Sequence, residues 1–284
     1  EYQDNFKIYN LTNPGWGDFA DAISIRAETR GAVILSGGGF AFFTMVGADL
    51  TITGLTLGGG SGLDCLDECP GLDLEYLYGP ILVADGDLRL VDSTFSYNSG
   101  FFGGVATTYG GDLTVRNSTF DHNIGLFGGA LSSLNLYCAL EFGDPEACNQ
   151  NNSILVEASR FSDNCSSIGP GALFSYLVGR TEIDGSVFTA NSSGSITCEI
   201  GEIYDWPESP YMSGAATVFG GEIAITSSTF SQNETSSVGG ALNIVSHIGP
   251  WVGDVAEAFD GVTSSLTVES ATFPGEFTVR SPRI

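Results

Sequence analysis

One column of residues limits what this chain can become. Leu57, Phe95, Phe120, Phe161, Phe188, Phe230 and Phe273 recur along it, and each arrives with similar neighbours. Seven positions earlier stand Leu50, Leu88, Leu113, Ile154, Thr181, Ile223 and Leu266, and five positions earlier Ile52, Leu90, Val115, Val156, Ile183, Ile225 and Val268. A spacing of two is what a strand with one buried face requires. Two positions before the phenylalanine come Ser93, Ser118, Ser159, Ser186 and Ser228, then Ala271, a column that asks for a small side chain. Three positions after it come Asn98, Asn123, Asn164, Asn191 and Asn233. A glycine-rich strand start follows, clearest in Gly103-Gly104-Val105-Ala106, Gly128-Gly129-Ala130-Leu131 and Gly239-Gly240-Ala241-Leu242.

Where nothing interrupts it, as from Phe95 to Phe120, the unit is about 25 residues long, the length of a solenoid coil. In a parallel β-helix each strand pairs with its equivalents about 4.8 Å away, so equivalent side chains stack in columns. The columns then have physical roles. Phenylalanine, leucine and valine fill the interior, asparagines form an amide ladder at a corner, and glycine pairs allow positive φ and close approach where the coil turns. The fold expected is all-β, a right-handed parallel β-helix (solenoid) of about seven coils with loop insertions at two corners. Residues 1–20 form an N-terminal arm or cap, rich in aromatics and turn residues without periodicity, and residues 21–284 a single domain. Inserts 58–78 and 194–212 leave between the asparagine corner and the glycine strand; inserts 132–152 and 243–264 leave after the glycine strand. The alternating carboxy-terminal run around Phe277 and Val279 reads as one more strand.

Thirty-four acidic residues against nine basic ones give a net charge of −25, which repels nucleic acid and anionic membrane surfaces. There is no apolar run of transmembrane length, and the first ten residues lack the basic start and apolar middle of a signal peptide, so a mature or excised product is expected. The six cysteines pair by proximity as Cys65 with Cys69, Cys138 with Cys148 and Cys165 with Cys198, although six cysteines permit fifteen connectivities. An even set without CxxC spacing fits an oxidising, extracellular or cell-surface setting. Asn-X-Ser/Thr sequons occur at Asn10, Asn117, Asn151, Asn164, Asn191 and Asn233. The last three also belong to the expected ladder, where a glycan has no room, so Asn10, Asn117 and Asn151 are the better acceptors.

The paired signatures FxxN and GGA(L/I) resemble the repeats of chlamydial polymorphic outer-membrane proteins. The best matches are Phe120 to Asn123 with Gly128 to Leu131, and Phe230 to Asn233 with Gly239 to Leu242. The resemblance covers roughly residues 31–273 and implies a right-handed parallel β-helix. For function it implies only the range of adhesins, passenger domains and other secreted proteins that carry such repeats.

Polysaccharide lyases, polygalacturonases and epimerases share this fold class, and their chemistry needs carboxylates gathered on one face with a cation or a basic residue. The nearest constellation is Asp121, His122 and Asp163 on consecutive coils, without a basic residue in the same column of the next coil. No catalytic residue, metal ligand or cofactor is therefore assigned. Glu157 beside Asp184 is a like-charged pair that calcium would bridge, and Arg116 beside Glu157 an ion pair across coils; solvated carboxylates are the expectation for Glu157 and Asp184. Aromatics in the inserts (Tyr76, Tyr78, Tyr137, Tyr204, Trp206, Tyr211, Trp251) offer a sugar- or protein-binding surface or a cover for the core. Terminal coils of a β-helix expose strand edges. The reading preferred is a non-enzymatic, glycosylated, structural or adhesive secreted protein whose copies associate head to tail in an extracellular filament, or which contacts other extracellular proteins. The alternative is a carbohydrate-binding adhesin or a pectate-lyase-like enzyme.

Overall fold

The computed structural model describes residues 6–9, 22–29, 33–36, 41–61, 79–135, 152–194, 198, 213–235, 240–245, 264–273 and 278–280. These form strands and turns only, in four parallel sheets whose neighbours are always equivalent segments one coil apart. One uninterrupted coil contains Ala106–Tyr109, Leu113–Arg116, Thr119–Asp121 and the two-residue Ile124–Gly125. The chain is thus the expected all-β parallel β-helix. A fourth, short sheet runs along the asparagine corner, beyond the three strands per coil that the repeat length suggests.

The register is that of the sequence columns. Leu113 pairs with Leu88 and Ile154, and Phe120 pairs with Phe95 and Phe161. The phenylalanine rings stack along the axis, with centroids 4.9 Å apart for Phe95–Phe120, 4.6 Å for Phe120–Phe161, 4.5 Å for Phe161–Phe188, 4.7 Å for Phe188–Phe230 and 5.0 Å for Phe230–Phe273. Ring spacing equals strand spacing, so the ladder and the aromatic stack reinforce one another. Thr181 interrupts the Leu/Ile column yet is fully buried; its hydroxyl pairs with that of Ser175 at 3.1 Å across the interior, which satisfies both groups.

The helix extends one coil further towards the amino terminus than the phenylalanine column reveals. Ala22–Arg26 pairs with Asp49–Thr53, placing Ile23 on Leu50 and Ile25 on Ile52, and Val33–Ser36 pairs with Leu55–Gly58. The leucine-valine sheet consequently has eight strands. Within the segment expected as an arm, Phe6–Tyr9 pairs with Phe43–Val46, and at the other end Thr278–Arg280 pairs with residues of Leu242–Val245, the strand anticipated there. The inserts lie almost wholly outside the described residues, but the strands that flank them stay in register, as between Leu131–Leu134 and Leu173–Tyr176.

Two columns act differently from their expected roles. The serines are required for their hydroxyls as well as their size. Each accepts a hydrogen bond from the backbone N–H of the preceding coil: Ser93 to Ser118 at 3.1 Å, Ser118 to Ser159 at 3.1 Å, Ser159 to Ser186 at 3.1 Å and Ser186 to Ser228 at 3.0 Å. Among the described residues, the glycines of these strand starts do not adopt positive φ. Instead, a Cβ on Gly104, Gly129, Gly171 or Gly214 would collide with the carbonyl oxygen of the glycine one coil on, so close approach alone excludes a side chain. Left-handed residues occupy the corners, one set being Tyr97, His122, Asp163, Ala190 and Gln232, with φ from 52° to 57°.

A third polar ladder was not visible in the repeat. Asp49 accepts from the N–H of Asp87 at 2.8 Å and Asp87 from that of Asp112 at 3.0 Å, while Asp112 accepts from the N–H of Ser153 at 2.7 Å. Arg89 stands against these carboxylates, 2.7 Å from Asp87 and 3.9 Å from Asp49.

Candidate functional site

Among the described residues, chemistry-bearing side chains converge at one place on the surface, the outer side of the asparagine corner. The corner is rigid for reasons internal to the repeat. Asn123, Asn164 and Asn191 each accept through Oδ1 from the backbone N–H and the Nδ2 of the preceding asparagine, and donate through Nδ2 to the following Oδ1 and to a phenylalanine carbonyl; at the ends Asn98 donates to the Leu57 carbonyl and Asn233 to that of Phe188. For Asn123 and Asn164 the Nδ2–Oδ1 distance is 2.8 Å, and Nδ2 of Asn164 also donates to the Phe120 carbonyl at 3.0 Å. Asn164 and Asn191 are fully buried and Asn233, at the end of the ladder, half-buried.

Immediately before the ladder, His122 and Asp163 hold equivalent corner positions on consecutive coils, and Asp121 and Ser162 are paired neighbours in the phenylalanine sheet. Asparagine, aspartate and histidine tolerate left-handed backbone better than most residues, which explains why a corner accepts His122 and Asp163 singly. Their convergence is a separate matter. His122 Nδ1 lies 2.8 Å from Asp121 Oδ2, the Ser162 hydroxyl donates to Asp121 Oδ1 at 2.5 Å, and the Tyr97 ring stacks on the imidazole at 5.1 Å. One ligand atom from each of Asp121, His122 and Asp163 lies within 4.8 Å of the other two. The side chain of His122 is 48% exposed and that of Asp121 33%.

Burial pushes the Asp121 carboxyl up, but the hydrogen bonds from Ser162 and His122, and the charges of His122 and Arg160, outweigh it and hold the group below the ordinary carboxylate range. A carboxylate so stabilised is a poor proton acceptor and a good ligand or anion. Two neighbours of the cluster are not among the residues the sequence singles out. Tyr97 stands in the same column as His122, a signal already present in the repeat. Arg160 lies on the strand beside Thr119, outside the columns of Asp121 and His122.

The like-charged pair Glu157 and Asp184 is in register, but each carboxylate has its own partner. Arg116 Nε lies 3.0 Å from Glu157, the expected pair across coils, and the Thr226 hydroxyl donates to Asp184. Both residues of the Arg116–Glu157 pair are about half exposed, so the pair contributes at most about 1 kcal/mol.

Cys165 and Cys198 form the disulfide expected to join neighbouring coils, with Cα atoms 5.7 Å apart. Cys65, Cys69, Cys138 and Cys148, the sequons at Asn10 and Asn151, and the insert aromatics lie outside the described residues. Asn117 is exposed at a left-handed corner and its Nδ2 donates to Asp92 Oδ1 at 2.5 Å. A glycosylated amide keeps one N–H, enough for that bond, whereas Asn164 and Asn191 use both. Glycopeptide mass spectrometry of native material should find a glycan on Asn117 and none on Asn164 or Asn191; occupancy of either buried residue would contradict the ladder.

The glycine-led sheet is buried on its outer face too, where Phe174, Phe219 and Leu134 pack with Phe102, Phe127, Tyr109 and Tyr176. Burial there raises the Tyr176 hydroxyl above its ordinary range. These aromatics serve packing rather than display. Among the described residues no helix is long and apolar enough to cross a membrane. Comparison with protein-family models, with curated proteins and with solved structures gives no match for this chain.

Proposed function

We propose that this chain is a secreted, glycosylated structural or adhesive β-helix whose copies associate head to tail in an extracellular filament or surface appendage, without enzymatic activity. The observation that carries this reading is the last strand of the leucine-valine sheet. Ser264–Glu269 pairs on one edge with Gly221–Thr226, and no described strand pairs with its other edge. Its Val268 is 40% exposed, whereas Ile225, in the same column one coil below, is fully buried. At the opposite end Ala22–Arg26 presents Ile23 and Ile25, half-buried, in the same alternation. The first strand of one copy therefore has the register and apolar pattern to follow the last strand of another, and a head-to-tail contact of that kind generates open polymers.

A chain of net charge −25 repels its own copies, so association should strengthen with ionic strength as the repulsion is screened. Sedimentation and negative-stain electron microscopy across a concentration and salt series should show end-to-end polymers, and Val268→Asp should shorten them without unfolding the monomer. A chain that stays monomeric at high concentration and high salt, or a variant that polymerises like the parent, would overturn the reading. The resemblance to polymorphic outer-membrane protein repeats points the same way, towards the cell surface, with N-linked glycans or other extracellular proteins as further partners. The alternative, a carbohydrate-binding or pectate-lyase-like protein, draws on the Asp121, His122 and Asp163 cluster. It predicts calcium-dependent binding or cleavage of acidic glycans that is lost when Asp121 and Asp163 are replaced together.

A further inference from the structure

We infer that Asp121, His122 and Asp163 form a surface site for a divalent transition ion of the zinc class, independently of any filament. The donor set is one imidazole nitrogen and two carboxylates, with ligand atoms within 4.8 Å of one another. Metal–ligand bonds of about 2.0–2.2 Å bring such atoms to roughly 3–4 Å apart, so the site closes by side-chain rotation of the exposed Asp163, with the backbone in place. The backbone is already ordered for this. His122 and Asp163 leave equivalent left-handed corners, φ 52° and 55°, on neighbouring coils, and the Asn123–Asn164 amide pair locks those coils together one residue away.

The surroundings are those of oriented ligands. Ser162 occupies Oδ1 of Asp121, Oδ2 faces the imidazole at 2.8 Å from Nδ1 in a contact that a bound ion would replace, and the Tyr97 ring stacks on His122. Other left-handed corners of the same column carry Ala190 and Gln232, so the backbone requires neither His122 nor Asp163. An imidazole ligand and only two carboxylates favour zinc, cobalt, nickel or copper over calcium, which takes six to eight oxygens. Two carboxylates and a neutral imidazole also balance a dication, on a protein whose field already gathers cations. Positions not supplied by the chain would be filled by water or by a donor from a partner molecule.

The test is titration of the full chain with Co2+, followed by ligand-field absorption, and with Zn2+ by calorimetry, in excess Ca2+ and Mg2+ to occupy the diffuse acidic surface. One ion should bind per chain. His122→Gln, a residue the equivalent corner at Gln232 already accommodates, and Asp163→Asn should each weaken binding by at least about 10-fold. Ser162→Ala, a positioning change, should weaken it less while leaving one ion bound. Nitrogen hyperfine coupling from bound Cu2+ should be present in the parent and absent in His122→Gln. Circular dichroism and thermal melting establish that the variants remain folded. No stoichiometric binding above the Ca2+ background, or equal affinity in His122→Gln, would overturn the site and show ions held only by the general negative charge. Polymerisation in either case is judged by Val268→Asp, so the two proposals fail separately.

Discussion

Replacing Phe161 with alanine is expected to destabilise the protein by about 3–5 kcal/mol, more than a change at an exposed position in the same coil. The ring is fully buried and lies between two others, Phe120 at 4.6 Å and Phe188 at 4.5 Å, both nearly coplanar with it at 4° and 2°. Truncation removes one of the largest fully buried side chains and leaves a cavity that neighbours cannot fill, because each is held by its own strand pairing one coil away. Phe161→Leu is the control. Leucine already occupies this column at Leu57, fully buried, so the loss should fall to about 1–2 kcal/mol. Urea unfolding measures both values, and the melting temperature of the alanine variant should drop by on the order of 10 °C. Equal losses for alanine and leucine would mean that the stack, rather than burial, dominates. A negligible loss for alanine would mean that the column is not the core.

Asn164→Ala is expected to cost about as much, roughly 3–5 kcal/mol, although it removes hardly any apolar surface. It leaves the backbone N–H and the Nδ2 of Asn123 without their acceptor, Oδ1 of Asn191 without one of its donors, and the Phe120 carbonyl without its amide, all inside a corner closed to water. Asn164→Asp sharpens the interpretation. One oxygen of the introduced carboxyl would still accept from Asn123, but the other would face two acceptors, so the folded state favours the protonated form and raises its pKa above the unfolded value of about 3.9. The sign follows: stability is retained at pH below the unfolded value and lost as pH rises through the folded one. The deficit of Asn164→Asp relative to the parent should therefore shrink in acid, whereas that of Asn164→Ala should not. Asn233→Ala, at the half-buried end of the ladder, should cost markedly less. Chemical denaturation at pH 7 and near pH 4 tests the set.

Much of this architecture is legible in the sequence, and the reason is particular to solenoids. The partner of Phe120 is whichever residue occupies the same place in the adjoining coils, so aligning repeats is already a statement of contact. Leu113 on Leu88, Asn123 on Asn164 and Arg116 on Glu157 follow from that identity. Repeat identity is silent where one residue type serves two purposes. Serine is both small and hydrogen-bonding, and the column spacing cannot say that Ser118 accepts from Ser93. Glycine is both left-handed and slender, and only the carbonyl facing Gly129 shows that slenderness is what matters there. The strand-like runs from Ala22 and Val33 are legible as strands, but the column register does not count them as a coil, because Leu35 stands where phenylalanine would mark it and no asparagine column reaches that far back. The aspartate ladder was hidden because it ends at Ser153 after three coils.

Sequence by itself determined the winding of this protein: the coil length, which residues face inward, which corner carries the amides, and which sequons lie in that ladder. Those properties depend on equivalent positions, and in a parallel helix equivalent positions are held one strand spacing apart by backbone hydrogen bonds. Only the tertiary structure decided which neighbouring side chains turn towards one another. That Asp121 turns towards His122 while Ser162 holds its other oxygen, that Tyr97 covers the ring, and that Ser175 meets Thr181 across the interior all depend on side-chain rotation and on the small offset between coils. Repetition specifies the lattice on which these groups are mounted, and rotation decides which of them meet.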